Sequence, residues 1–448
     1  MYITRVQLRN VKGFTGKRAV DLPLAGGSGW TVLAGRNGSG KSTVLQAIAL
    51  AVSGPSVAQA LVPDFTGWVT TGARQGAVDI EVTHKSPLDS FAGAGKTPQG
   101  PISLGLRWTP PPADADHPAR PALSAFPSTT KSGSRGPWAE NSFGWFCAGY
   151  GPFRRLTGGS SEAQRLMINQ GPRGRLATLF HEDASLAEGV AWLIDLRLRA
   201  YEEEDRPGGA AALLAKVLGL LQDGLLPDQY QIQRVTADGL WVREHGRNER
   251  GFPLREMSDG YRTVVALVLD IVRQLHSTYG TLLSQPIPGG GIAVHLPGVV
   301  LIDEVDAHLH VTWQRKIGDW LRQHFPAIQF IVTSHSPYIC QAADPGSLIR
   351  LPGVDEQQPA AVVDDDLYHR VVYGSGDDAV LSELFGLETP YSNRAERQRR
   401  RLVALERKVY AETASAEEIA EYQELGERLT SSLSSRVAEV SARLEPDR

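Results

Sequence analysis

Apolar and polar residues largely alternate along "YITRVQLRNV" (residues 2–11), and "RAVDLPL" (18–24) resumes the alternation after a Lys-Gly turn. A period of two on either side of a turn predicts a two-stranded element. "GWTVLAG" (29–35) is a short apolar strand, and "KSTVLQAIALAV" (41–52) after it is helical. "AVDIEVTH" (77–84) and "ISLGLRW" (102–108) predict further strands. Residues 109–140 are rich in Pro, Ser and Gly and read as a flexible loop. "WFCAGYGPFRRL" (145–156) returns to strand and turn.

From about 156 to 222 apolar residues recur at three- and four-residue spacing, which predicts helices, chiefly 185–204 and 210–225. "YQIQRVTADGLWVRE" (230–244) is a hairpin with Asp-Gly at its tip. Then come "MSDGYR" (257–262), the helical run "TVVALVLDIV", a Gly/Pro-rich loop over 284–298, the strand "VVLID" (299–303), a helix and the strand "QFIVTS" (329–334). Short apolar strands alternating with helices imply an α/β fold built on a mainly parallel sheet. Near the end, Asn393 with Glu396 and Ser415 with Glu418 have capping-box spacing. They predict two polar helices, about 394–412 and 416–441. The expected organisation is a first lobe over 1–155, a helical insert and hairpin over 156–250, a second lobe over 251–372 and a helical tail over 373–448.

Composition narrows the class. The 448 residues are 42% hydrophobic and 21% charged, with formal net charge −4, so nothing global demands nucleic acid. Two cysteines, Cys147 and Cys340, exclude a disulfide framework or a cysteine-based zinc site and fit a reducing cytoplasm. The opening residues do not read as a secretory signal, and no uninterrupted apolar run is long enough to span a membrane.

The chemistry is concentrated in four short stretches. "GRNGSGKST" (Gly35, Arg36, Asn37, Gly38, Ser39, Gly40, Lys41, Ser42, Thr43) fits G-x-x-x-x-G-K-[ST] between a strand and a helix. Its glycines let backbone N–H groups turn toward phosphate oxygens, Lys41 brings a charge to the β- and γ-phosphates, and Ser42 offers an oxygen to Mg²⁺. Such a loop requires a carboxylate at the end of a nearby strand, and "GVVLIDEVDAHLH" supplies two. Asp303 would hold Mg²⁺, and Glu304 would orient or deprotonate the attacking water. "QFIVTSHSPYI" places His335 at another strand end, where it would sense the γ-phosphate. "HLH" (308–310) reads as a contact loop rather than a metal pair, since no third ligand is evident. "DDDLYHR" (364–370) reads as an acidic solvated loop.

In order along the chain, the phosphate loop, the Ser-Gly turn of "MSDGYR", the Asp-Glu strand and the strand-end His resemble the ATP-binding-cassette class of ATPases. The likeness is nearer the soluble SMC/RecF/OLD-like branch than the transporters. "NVKGF", "AGYGPFRRL", "RLATLFHEDASLAEGVAWLIDL", "MSDGYRTVVALVLDIV", "LIDEVDAHLH" and "TSHSPYI" are more narrowly similar to AAA-family ATPase subunits of Septu-type and retron-associated anti-phage systems. The resemblance implies a two-lobed ATPase head using ATP and Mg²⁺. It implies a homodimer or higher oligomer that controls an effector such as a nuclease. Ser258 and Gly260 would then be signature residues reaching a nucleotide held by another chain, and 305–310 a dimer-contact loop. The sequence departs from that pattern at Asp259, which stands where the signature has glycine. The glutamine that couples the lobes is also missing from "AGYGPFRR", where Tyr150 and Arg154 are the candidates for its place. Gln164 and Gln170 fall in the helical insert.

Two other functions compete. A RecF-like repair ATPase would bind DNA itself, and the basic stretch "RAERQRRRLVALERK" (394–408) offers a place for it. It lacks aromatic residues for base stacking, so protein contacts are the favoured reading. A self-contained nuclease is disfavoured, because an acidic metal-binding domain would be expected after the ATPase and the one acidic run after His335, "DDDLYHR", reads as solvated loop.

Overall fold

The structure is a computed structural model. It describes residues 1–111, 120–125, 130–140, 142–154, 171–203, 209–227, 229–244, 251–288, 290–387, 389 and 391–429. The chain forms two compact units, 1–379 and 380–448.

The first unit is organised by two sheets. One has five strands in the order Val20–Pro23, Tyr2–Arg9, Gly76–Thr83, Ile102–Thr109 and Ala122–Ala125, all antiparallel. Residues 76–83 alternate buried and half-buried, as a sheet with one face in the core requires. The other has six strands in the order Ala361–Val362, Leu348–Arg350, Gly29–Ala34, Ile328–Ser334, Gly298–Ile302 and Cys147–Tyr150. Its last five run parallel. Gly298–Ile302 and Ile328–Ser334 are buried at every position, which explains their unbroken apolar sequence. The α/β, P-loop architecture expected from the sequence is present, and the antiparallel sheet adds a second layer to it.

The helix Lys41–Leu61 joins these layers. Val44, Leu45, Ile48 and Leu50 share one apolar core with Val78, Ile80, Leu104 and Leu106 of the antiparallel sheet and with Leu33, Leu301 and Ile331 of the parallel one. The helix is long and apolar enough to cross a membrane by composition, but 67% of its apolar window is buried within the protein. A non-helical Gly54 followed by Pro55 kinks it.

Two helices, Ala187–Glu202 and Ala210–Gln222, pack against each other and against the long helix Asp259–Tyr279. The hairpin Tyr230–Thr236 and Gly239–Glu244 forms as the Asp-Gly tip predicts, and Phe252–Pro253 adds a third strand. The 284–298 loop contains a short antiparallel pair, Ser284–Pro286 with Ile292–Val294.

Three expectations need correction. The 109–140 segment is not simply a flexible loop, because its described residues include the edge strand Ala122–Ala125 and the helix Thr130–Arg135. Trp138 fixes its far end by donating its indole N–H to the Ala51 carbonyl at 3.0 Å. The acidic run at 364–370 opens a helix, Asp365–Val372, with Asp364 accepting from the Leu367 N–H at 2.8 Å. The tail helix Asn393–Tyr410 is capped by Ser392, not Asn393: the Ser392 hydroxyl accepts from the Ala395 N–H at 3.2 Å. Ser415 and Glu418 do form the reciprocal capping box. Their helix is described as Ala416–Leu429, and 430–441 lies outside the described residues, as do Gln164 and Gln170.

The tail unit is a hairpin of opposite charges. Arg401 pairs with Glu421 through two bonds of 2.7 and 3.0 Å, and Lys408 pairs with Glu418. The basic stretch thus meets an acidic neighbour within its own unit.

One buried link ties the parallel sheet to the long helix. Tyr150, at the end of its strand, donates its hydroxyl to Asp270 Oδ2 at 3.0 Å. Asp270 is 1% exposed and also pairs with Arg273 at 2.7 Å. Tyr150→Phe removes one donor from this buried carboxylate. It should lower the unfolding free energy by about 1.5–3 kcal/mol in urea titration. A loss below about 0.5 kcal/mol would mean the bond does not matter to the fold.

Candidate nucleotide site

Parallel pairing brings three of the four sequence motifs to one sheet edge. Gly29–Ala34 lies beside Ile328–Ser334, with Ala34 opposite Ser334. Ile328–Ser334 lies beside Gly298–Ile302, with Val332 opposite Ile302. All run the same way, so the phosphate loop, His335 and the Asp303–Glu304 pair leave adjacent carboxyl ends. In open α/β sheets this edge is where ligands bind.

The loop turns tightly between strand and helix. Gly40 has φ 96°, a left-handed conformation that favours glycine, and a Cβ there would strike the ring of Phe14. Lys41 is buried, and its Nζ donates to the carbonyls of Gly35 at 2.9 Å and Arg36 at 3.1 Å. Burial pushes its pKa down to about 8, against the opposing pull of Asp303, Glu304 and Asp306. The Ser39 hydroxyl is buried without a hydrogen-bond partner inside the loop. An unpaired buried hydroxyl and a desolvated cation at a helix N-terminus fit an anion with several oxygens. Arg36, Asn37 and Gly38 are exposed, Ser42 is half-buried, and Thr43 is buried. From behind, buried Arg18 donates to the Gly13 carbonyl at 3.3 Å and the Pro352 carbonyl at 3.1 Å.

The acidic pair is held from two sides. Asp303 is buried, and its Oδ1 accepts from the Thr333 hydroxyl at 2.5 Å. The same hydroxyl accepts from the Glu304 N–H at 2.7 Å. Glu304 itself has φ 45°, a left-handed conformation that costs a non-glycine residue about 1–3 kcal/mol. Opposite Thr333, Arg154 is 2% exposed. Its Nη1 donates to the carbonyls of Gly151 at 3.0 Å and Asp303 at 2.9 Å. Its Nη2 donates to those of Glu304 at 3.1 Å and Val305 at 3.3 Å. Burial pushes the Arg154 pKa down to about 10, with Asp306, Asp303 and Glu304 opposing. It therefore stays charged at neutral pH.

His335 sits between two fixed serines. Ser334 donates to Asp306 Oδ1 at 2.6 Å, and Ser336 donates to Gln314 Oε1 at 2.7 Å. The His335 pKa is lowered, first by burial and then by Lys41, which favours the neutral imidazole near pH 7. That influence of Lys41 also places the two groups in one electrostatic neighbourhood.

The Ser-Gly turn packs on the loop that follows the acidic pair. Ser258 is the exposed N-cap of the helix Asp259–Tyr279, yet its hydroxyl makes no capping bond to that helix. Gly260 is packed so closely on the His308 carbonyl that a Cβ would run into it. Asp259 forms an ion pair with Arg262 on the same helix turn. The residue that departs from the signature pattern is thus paired within its own helix, and its side chain is 77% exposed. Ser258, Gly260, Tyr261, His308, His310 and Trp313 line a cavity of about 470 Å³. His310 caps the next helix by accepting from the Thr312 N–H, so a structural use accounts for that histidine.

Sequence patterns assigned no role to Thr333, Ser334 or Arg18, and reached Asp306 only as part of the 305–310 contact loop. The available signal was polarity at the end of an otherwise apolar strand.

Comparison with known families fits this geometry. Residues 5–88 match a profile described as "AAA domain", and residues 177–341 match one described as "AAA domain, putative AbiEii toxin, Type IV TA system". The first matched stretch holds the phosphate loop, and the second holds Asp303, Glu304 and His335. It is 25% identical over 339 residues to Septu protein PtuA of Bacillus mycoides (strain KBAB4), covering 75% of this chain and 38% of that protein. It is 41% identical over 102 residues to the retron Ec83 probable ATPase of Escherichia coli, covering 22% and 17%. A Septu protein PtuA of Bacillus thuringiensis is 31% identical over 140 residues, covering 30% and 32%. The matched stretch therefore spans less than two fifths of each of these relatives. An SMC head crystallised with the C-winged helix domain of ScpA overlays with TM-score 0.49 at 14% identity, covering 81% of this chain and 98% of that one.

Thr333→Val keeps the shape of the side chain but removes both bonds to the acidic turn. It should lower the unfolding free energy by about 1–3 kcal/mol, while Thr333→Ser should stay within about 0.5 kcal/mol of wild type. Equal losses in the two variants would show that packing, not the hydroxyl, holds the turn.

Proposed function

We propose that this chain binds and hydrolyses ATP with Mg²⁺ at the edge formed by the phosphate loop, Asp303, Glu304 and His335. The observation that carries the proposal is the delivery of those groups to adjacent parallel strand ends. Gly35–Thr43 would wrap the phosphates, with Lys41 exchanging its two loop carbonyls for phosphate oxygens. Ser42 and Asp303 would hold Mg²⁺, which neutralises charge developing on the phosphates when bound. Glu304 would orient the attacking water, and His335 would report the γ-phosphate.

The second part of the proposal is that two chains share each nucleotide. Ser258 is exposed and its hydroxyl is not spent on its own helix. His308, Leu309 and His310, at the end of the proposed contact loop 305–310, border the same cavity. In a head-to-tail pair, Ser258 and Gly260 of one copy would cover the phosphates held by the other, and the positive helix end behind them would add to the attraction. The lobes proposed are 1–155 and 251–372, with 156–250 as insert and 373–448 as an assembly tail. Likeness to Septu and retron ATPases supports a cytoplasmic role in anti-phage defence, with ATP state controlling a separate effector such as a nuclease. A DNA-binding repair ATPase is less favoured, because Arg401 and Lys408 of the basic tail helix are already paired with glutamates.

Lys41→Ala should abolish binding of a fluorescent ATP analogue. Glu304→Gln should retain ATP and sediment as a dimer in its presence. Unchanged affinity in Lys41→Ala would refute the phosphate assignment, and a monomeric Glu304→Gln with ATP bound would refute the sharing of nucleotide.

Proton linkage gives an independent check. In the free protein the Lys41 pKa is lowered to about 8, and a bound phosphate would favour the ammonium and raise it. Between those two values the complex holds more protons than the free protein. Binding at pH 8.5 should therefore take up protons, and affinity should fall as pH rises above about 8. Calorimetry in buffers of different ionisation heat reads this directly. No uptake at pH 8.5 would contradict the placement of Lys41 against phosphate.

A further inference from the structure

We infer that Arg154 is a positioning residue that holds Glu304 in its working geometry through the backbone of residues 303–305. The inference rests on the proposed role of Glu304 and adds a residue that pattern matching assigns no such task.

Four observations carry it. One guanidinium meets the carbonyls of three consecutive residues, Asp303, Glu304 and Val305, and that of Gly151 beneath itself. The middle residue of the three is the one with φ 45°. A left-handed glutamate persists only when its surroundings over-determine it, and Thr333 on the other side supplies the matching bond to its N–H. Finally, Arg154 is 2% exposed, so it spends a desolvated charge on these backbone carbonyls. A lysine offers a point charge in place of the fork and cannot reproduce this pattern.

The same segment also reaches the middle of the helix that follows the Ser258–Gly260 turn. Four residues before Arg154, Tyr150 bonds Asp270 of the helix that Ser258 caps. Strand end 147–154 thus touches both the acidic turn and the signature helix. Arg154 acts on the water-orienting group through the backbone, without contacting nucleotide itself.

The test is a double-mutant cycle on hydrolysis, with binding measured separately. Arg154→Met should leave affinity for a fluorescent ATP analogue within about threefold of wild type, while single-turnover hydrolysis falls on the order of 10- to 100-fold. In a Glu304→Gln background the same substitution should change the residual rate by less than about twofold, because the group it positions is already disabled. If Arg154→Met does not fold, Arg154→Lys serves in the same cycle, with the same expected non-additivity. The inference is overturned if the two substitutions multiply independently, if hydrolysis in the Arg154 variant is unchanged, or if nucleotide binding falls in step with rate. Wild-type hydrolysis in Glu304→Gln alone would bring down the assignment of Glu304 and this inference with it. Impaired hydrolysis in Glu304→Gln with an additive Arg154 effect would bring down only the inference.

Discussion

Parallel hydrogen bonding among Gly29–Ala34, Ile328–Ser334 and Gly298–Ile302 is the constraint on which the rest of the structure depends. Three strands locked in one direction must release their chains on the same side. Residues separated by 262 positions, Lys41 and Asp303, come under each other's electrostatic influence for that reason alone. The apolar side chains of these strands stabilise the sheet by burial, and the polar residues begin where the burial ends.

Precision at that edge comes from charges placed beneath it. Arg18 donates to the Ser39 carbonyl of the phosphate loop at 3.5 Å, and Arg154 grips the acidic turn. Each buried guanidinium is costly to desolvate and repays the cost by satisfying several carbonyls that regular structure leaves free. Thr333 performs the complementary task, with one hydroxyl donating to a carboxylate and accepting from a backbone N–H. The site is accordingly built as a rigid floor, on which Lys41 and His335 are the groups whose protonation responds to what lies above.

Much of this was legible in the sequence, and the limits have physical causes. Strands such as 299–303 and 329–334 announce themselves because burial on both faces demands unbroken apolar runs. The phosphate loop is legible because a tight turn at Gly40 tolerates little else. The edge strand 122–125 was hidden, since an exposed edge needs no apolar alternation. The cap of the first tail helix slipped by one residue, because Ser392 and Asn393 are both good capping residues and only geometry chooses between them. Arg154 and Thr333 were unreadable as partners of Glu304, because their bonds run to backbone atoms and leave no trace in residue type. Asp259 looked like a defect beside phosphate until its ion pair with Arg262 came into view.

A nucleotide shared between two chains would lie between the phosphate loop of one and the Ser258–Gly260 turn of the other. The native thiols favour a direct test, because Cys147 and Cys340 are both buried and burial pushes both pKa values up. One chain would carry Asn37→Cys, its equal partner Asp259→Cys, and the mixture would be treated with a short bismaleimide linker. Both replaced positions are exposed. A cross-linked pair of the two variants should form with ATP and be lost without it. No cross-link with ATP present, or the same yield in its absence, would contradict that sharing.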